Sequence, residues 1–197
     1  MERPTTPRPA VAGLPPARVE IAPLDLLDRA AEAAAVQTAA LGPVPGDRSV
    51  VFARHVCYPG YRAFGAYTGD ELVGFAYGAE CRRGQWWFDQ IRPALVQAGY
   101  GERLLGAYAV TELHVLPDYQ GHGIGFRLMG TLLAGLPYRE VVLSTYDTES
   151  RARALYRALG FADLVTGFRF PVQAQPYALM VAALPLRILP RTIGPGR

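Results

Sequence analysis

Three glycines fall within five positions in Gln120-Gly121-His122-Gly123-Ile124-Gly125-Phe126, directly after an apolar run that ends Val115-Leu116-Pro117. The stretch reads as a strand end, a tight turn and a helix start. Glycine permits the turn and lets a ligand approach the main chain closely. A helix start presents unpartnered N–H groups and partial positive charge. That combination favours a pyrophosphate. Glycines at a helix start are costly unless the backbone needs them. A second candidate group, Glu112, lies just upstream in Thr111-Glu112-Leu113-His114-Val115. A carboxylate inside an apolar central strand is expensive to bury. Burial is expected to raise its pKa toward a value useful for taking a proton. The plainer alternatives are a carboxylate on an exposed strand face, or one paired with an arginine.

Two dinucleotide readings of the turn fail. The G-x-G-x-x-G fingerprint needs a third glycine where Phe126 stands, or Leu128 if counted from Gly123. A P-loop needs a lysine, and the chain has none.

What the turn resembles is the acetyl-CoA motif of the GNAT N-acetyltransferases, a strand ending V-x-P followed by Q/R-x-x-G-x-G/A. Here the residues are Val115-Leu116-Pro117, then Gln120 to Gly125. A second stretch, Ala152-x-x-Leu155-Tyr156-x-x-x-Gly160-Phe161, resembles the same family's A-x-x-L-Y-x-x-x-G-F pattern. The resemblance extends over about residues 17–185 and is close over 105–170. It implies an α/β (α+β) fold. Its mixed, mostly antiparallel sheet of about seven strands would be splayed at the centre, flanked by helices, with CoA in the cleft. The function implied is transfer of an acetyl group from acetyl-CoA to a primary amine of a small molecule or peptide by direct attack, with no metal.

The resemblance also implies roles. Gln120, Gly121, His122, Gly123, Ile124, Gly125 and Phe126 would hold the CoA pyrophosphate, with Glu149 a further cofactor contact. The main chain of Leu113, His114 and Val115 would pair with the pantetheine arm and stabilise the oxyanion. Tyr156 would assist the departing thiolate. Glu112 would take the amine's proton, directly or through water, with Asp147 and Glu149 as alternatives. The side chain of His114 is equally consistent with a structural histidine and a substrate contact. Two positions depart from the family. Ser144 stands where the ribosomal-protein N-terminal acetyltransferases carry a catalytic Glu, and Glu149 stands where many members carry an Asn.

The elements that must position these groups are legible from periodicity and punctuation. Strands are expected at 17–24, 61–67, 71–78, 105–116, 140–146, 161–170 and 176–184. Helices are expected at 25–41, 48–58, 123–136 and 148–159. Residues 80–104 read as a helical insertion broken or begun near Pro93. Its Trp86, Trp87 and Phe88 either cap the acceptor pocket or simply pack on the sheet. Tyr58 and Asp147 are further candidate acceptor contacts. The Pro-rich arm over 1–16 is expected to be disordered and the tail over 186–197 loose, leaving one domain between them.

Composition bounds the partners. The formal net charge is +3, too small to argue for nucleic acid. All 20 basic residues are arginine and asparagine is absent, the mark of a GC-rich coding sequence. No lysine can therefore be catalytic. Residues 42–104 carry six acidic side chains and seven arginines, so a polycationic acceptor is not indicated. Cys57 and Cys81 form no CxxC, which argues against a zinc site or a disulfide framework. The N-terminus lacks a signal-peptide apolar run and no segment reaches membrane-spanning length. These features predict a cytoplasmic protein with no membrane partner, possible as a homodimer. The alternatives are a CoA-binding regulatory module without catalysis and a toxin-like acetyltransferase of aminoacyl-tRNA.

Overall fold

The computed structural model describes residues 18–171 and 173–186. The expected arm over 1–16 and all but the first residue of the expected tail lie outside the described residues. In chain order the elements are β1 (Glu20–Pro23), α1 (Ala30–Leu41), α2 (Arg48–His55), β2 (Arg62–Thr68), β3 (Glu71–Glu80), α3 (Trp86–Gln97), β4 (Tyr108–Val115), α4 (Ile124–Leu133), β5 (Glu140–Tyr146), α5 (Arg151–Ala158), β6 (Ala162–Phe168) and β7 (Tyr177–Ala183).

The seven strands form one sheet in the order β1-β2-β3-β4-β5-β7-β6. Every neighbouring pair is antiparallel except β4 and β5. This is the mixed, mostly antiparallel sheet that the sequence predicts. The two apolar faces of its strands are covered separately. On one face Ile124, Leu128 and Leu132 of α4 and Tyr156 of α5 pack with Tyr108, Val110, Val141 and Leu143. On the other, Ala33 and Phe52 of α1 and α2 pack with Phe75 and Tyr77. Further along that face, Phe88, Ile91 and Leu95 of α3 pack with Ala109, Val142 and Leu179.

Several boundaries differ from expectation by one to five residues, and three elements show why. The first strand is only four residues long. The first helix begins at Ala30 rather than Asp25, because the Asp25 carboxylate accepts the N–H groups of Leu27 and Asp28 at 3.0 and 3.1 Å and holds a turn there. The helix over residues 86–97 runs through Pro93 without a break. Pro93 removes the bond to the carbonyl of Asp89, but both residues lie on the exposed side, where water can serve that carbonyl. The buried face of Phe88, Ile91 and Leu95 keeps the helix on the sheet.

Candidate active site

The parallel pair at the centre of the sheet holds for only two residues, Tyr108 opposite Val141 and Ala109 opposite Val142. Beyond them β4 continues beside β3 and β5 beside β7, and the two strands part. The gap is edged by main chain without a strand partner. Leu116 donates to Val73 O at 2.9 Å, so Leu116, His114 and Glu112 direct their main-chain groups toward β3. Strand alternation then turns the N–H groups of Leu113 and Val115 into the gap. The side chain of Gln120 donates to Val115 O at 3.0 Å, in agreement with that orientation.

A register shift between Tyr77 and Gly78 decides which side chains meet at the gap. Tyr77 pairs with Glu112 and Gly78 with Val110, leaving Thr111 as an extra residue. Without it Glu112 would share the α4 face with Tyr108 and Val110. With it, Leu113 and Val115 pack on that face, and Glu112 and His114 turn to the face of α1 and α2. There the His114 ring lies 5.4 Å from that of Phe75.

The glycine turn closes one end of the gap. Gly121 and Gly123 have φ of 83° and 76°, a conformation that disfavours side chains other than glycine. Gly123 caps α4 with no side-chain hydrogen bond. The first capping bond is Arg127 N to Gly123 O at 3.0 Å, so the N–H groups of Ile124, Gly125 and Phe126 have no intrahelical acceptor. Ile124 anchors the helix start in the core, while Gly121, His122 and Gly123 are exposed. A Cβ on Gly125 would stand 3.1 Å from Leu155 Cδ2. The two sequence motifs thus meet at this contact.

Tyr156 projects from α5 on the same face. Its ring is buried, 5.7 Å from that of Phe161. Among the described residues its hydroxyl has no hydrogen-bond partner. Burial first, then the negative charge of Glu112, pushes the phenol pKa well up. It is therefore protonated at neutral pH and able to donate.

Glu112 is not the lone buried carboxylate that its strand suggests. Arg48 Nη2 donates to its Oε1 at 2.8 Å, and His114 Nε2 lies 2.5 Å from its Oε2. Burial by itself would raise its pKa. The hydrogen bond with His114 and the nearby charges of His114, Arg48 and His55 outweigh that, and hold the carboxyl below its usual range. The expected upward shift is thus corrected, because His114, two residues on, and Arg48, 64 residues upstream, both hold the carboxylate. Next to this group His55 Nδ1 meets Tyr77 Oη at 2.9 Å. Burial lowers the pKa of His55, and Tyr58 packs on its ring at 5.3 Å.

The other predicted carboxylates are engaged elsewhere. Asp147 accepts from Arg153 and, at 2.8 Å, from Gly167 N; these bonds hold its pKa down. Arg153, itself buried, also binds Asp163 at 2.7 Å, so the trio ties the start of α5 to β6. Glu149 is exposed and paired with Arg157 at 2.9 Å. On the acceptor side the aromatics divide. Phe88 points into the core and cannot cap a pocket. Trp86 is exposed and stacks on Phe170 at 5.5 Å. Trp87 donates from Nε1 to Ser144 Oγ at 2.9 Å, two residues past the last position of β5 that pairs with β4. Sequence reasoning missed Arg48, His55 and Tyr77, and nothing local in the sequence marks them.

Residues 39–161 match the model of the acetyltransferase (GNAT) family. A GCN5-like protein acetyltransferase of Mycobacterium tuberculosis is 40% identical over 123 residues, spanning 58% of this chain and 60% of that protein. Among solved structures, the Escherichia coli ribosomal-protein-S18-alanine N-acetyltransferase superposes with a TM-score of 0.62 at 19% identity, covering 84% of this chain and 94% of that one. Arabidopsis thaliana NAA60 in complex with acetyl-CoA superposes with a TM-score of 0.61 at 20% identity, covering 85% and 99%. Among the described residues no helix is long and apolar enough to cross a membrane. The family model covers more than half of the sequence, and the mixed seven-stranded sheet agrees with it: the chain belongs to the GNAT acetyltransferase family.

Proposed function

We propose that this protein transfers the acetyl group of acetyl-CoA to a primary amine of a peptide, a protein or a small molecule. The observation that carries the reading is the gap between β4 and β5, with unpartnered N–H groups at its edge and at its end. Gly121 to Phe126 offer the pyrophosphate their N–H groups and the positive end of α4. Leu113 and Val115 offer N–H groups to the thioester carbonyl, where negative charge develops on attack. The amine attacks directly: a C–N bond forms and the C–S bond breaks. Tyr156 donates to the departing sulfur, a modest task because a thiolate is a good leaving group near neutral pH. The amine's proton leaves toward the face that holds Glu112. The Mycobacterium tuberculosis relative favours a protein acceptor. Trp87 and Tyr58 stand on the side from which the acceptor would enter.

Thiol release from acetyl-CoA across a panel of peptide and small-molecule amines tests this reading. Turnover on at least one amine is expected. Tyr156→Phe should lower kcat by roughly tenfold, at the weak end of general-acid effects because the leaving group is good, with acetyl-CoA affinity unchanged. Tight acetyl-CoA binding with no turnover on any amine would instead make the protein a cofactor-binding module.

A further inference from the structure

We propose that His114, held in place by Glu112, is the group that receives the amine's proton, so that β4 carries an imidazole–carboxylate dyad rather than a lone carboxylate base; this rests on the acetyl-transfer reading above.

The geometry sets the division of labour. Each oxygen of Glu112 already accepts a bond, one from Arg48 at 2.8 Å and one from His114 at 2.5 Å. A proton delivered to that carboxylate would neutralise it and weaken both charge-assisted bonds. The carboxyl is also held below its usual range, which weakens it as a base. An ionised carboxylate can only accept, so the hydrogen between the two groups sits on Nε2, and in the neutral ring the lone pair is then on Nδ1. His114 is 7% exposed. Its Nδ1 makes no hydrogen bond to any described residue, yet it is not among the buried orphan polar atoms. The ring therefore keeps one nitrogen unengaged by any described residue. Strand alternation places both members on one face, two residues apart, and the bulge at Thr111 turns that face toward α1 and α2.

The groups around the dyad define what else could titrate with it. From α2 come Arg48 and His55, from β3 Tyr77 beside Phe75, and from α5, across the gap, Tyr156. Burial lowers the pKa of His55 and raises those of both tyrosines. Near neutral pH these three are uncharged, and Nδ1 of His55 is engaged by Tyr77 at 2.9 Å, whereas His114 is the ring held by a carboxylate with its Nδ1 unengaged by any described residue. The step balances. The amine nitrogen bonds the acetyl carbon and passes its proton to Nδ1. Sulfur leaves and takes a proton from water, or from Tyr156, which regains one from solvent. His114 returns its proton to solvent, so that the net products are the amide and the CoA thiol.

Two measurements on the full chain test this. Histidine ¹⁵N shifts, assigned among three histidines with His55→Gln and His122→Gln, should show His114 as the Nε2–H tautomer with a bare Nδ1. A proton on Nδ1 throughout the pH range of turnover would overturn the proposal while leaving acetyl transfer intact. In kinetics, His114→Gln should lower kcat about 100-fold or more, in the general-base range, with acetyl-CoA Kd within about twofold. It should also abolish the acidic limb of the pH profile, whose midpoint in the wild type matches the NMR titration of His114. Added imidazole should restore part of the activity of His114→Ala. Glu112→Gln should cost less, about tenfold, and keep a limb. A His114→Gln enzyme with near-normal kcat and an unmoved limb would assign the proton to Glu112 or water and refute the dyad. A wild-type protein that turns over no amine would remove the reaction and the proposal together.

Discussion

The two sides of the central gap are built from different materials. The side of α4 and α5 presents main chain: the turn Gly121 to Phe126, the N–H groups of Leu113 and Val115, and one hydroxyl, that of Tyr156. The side of α1, α2 and α3 presents side chains that depend on one another: Arg48 on Glu112, Glu112 on His114, His55 on Tyr77, Trp87 on Ser144. On the proposed function, the difference follows from what each side must recognise. A pyrophosphate and a thioester carbonyl are the same in every reaction that uses the cofactor, and backbone donors at a helix start suffice for them. An acceptor is recognised by shape and by where its proton goes, and that takes particular side chains.

The strongest way to break this comparison is to give the turn side chains. Gly121→Val with Gly123→Val places two β-branched residues at φ above 70°. Each position costs roughly 1–3 kcal/mol of strain, relieved only by moving the turn. Acetyl-CoA affinity measured by calorimetry should fall about 100-fold or more, since each 1.4 kcal/mol is about a factor of ten, while amine-side variants leave it within about twofold.

A smaller effect is expected from Glu112→Gln. The Glu112–Arg48 pair is 17% and 14% exposed, and losing a charge-assisted hydrogen bond there should cost about 2 kcal/mol at pH 7. The sign with pH follows from the lowered pKa of Glu112. A carboxyl depressed in the folded state adds stability above its unfolded pKa and loses it as pH falls through the folded value. The thermal midpoint of the wild type should therefore drop on acidification below about pH 5, and Glu112→Gln should lack its share of that drop. An unchanged slope would show that the ion pair does not hold the carboxylate. The smallest effect belongs to Trp87→Phe, which deletes the bond to Ser144. About 1 kcal/mol of stability and a change in amine KM are expected, with acetyl-CoA Kd unmoved. A shift in acetyl-CoA Kd instead would put Trp87 on the cofactor side.

The same division explains what the sequence disclosed. The cofactor side was legible because its logic is local. Gly121, Gly123 and Gly125 sit together, and Leu155, Tyr156 and Gly160 share one helix and its end. The strands and most helices were legible because apolar alternation and glycine or proline punctuation are local too. The α1 start was misplaced because an Asp25 turn competes with the helix. Pro93 misled because its lost bond faces water. Which arginine pairs with Glu112 was not legible, for a longer-range reason. Arg48 arrives from 64 positions upstream, and the bulge that turns Glu112 toward it exists only once β3 lies alongside β4. Burial alone predicted a raised pKa, whereas the assembled site lowers it. The family resemblance was carried entirely by the backbone-built side, which is why it named the cofactor and left the acceptor open.

Backbone amide NMR of the wild-type protein during an acetyl-CoA titration tests the central claim most directly. The account predicts that the largest shifts fall on the amides of Gly121 to Phe126 and of Leu113 and Val115, with the amides of α2 and α3 nearly still. Largest shifts on α2 or α3, or a turn that does not respond at saturating acetyl-CoA, would contradict it.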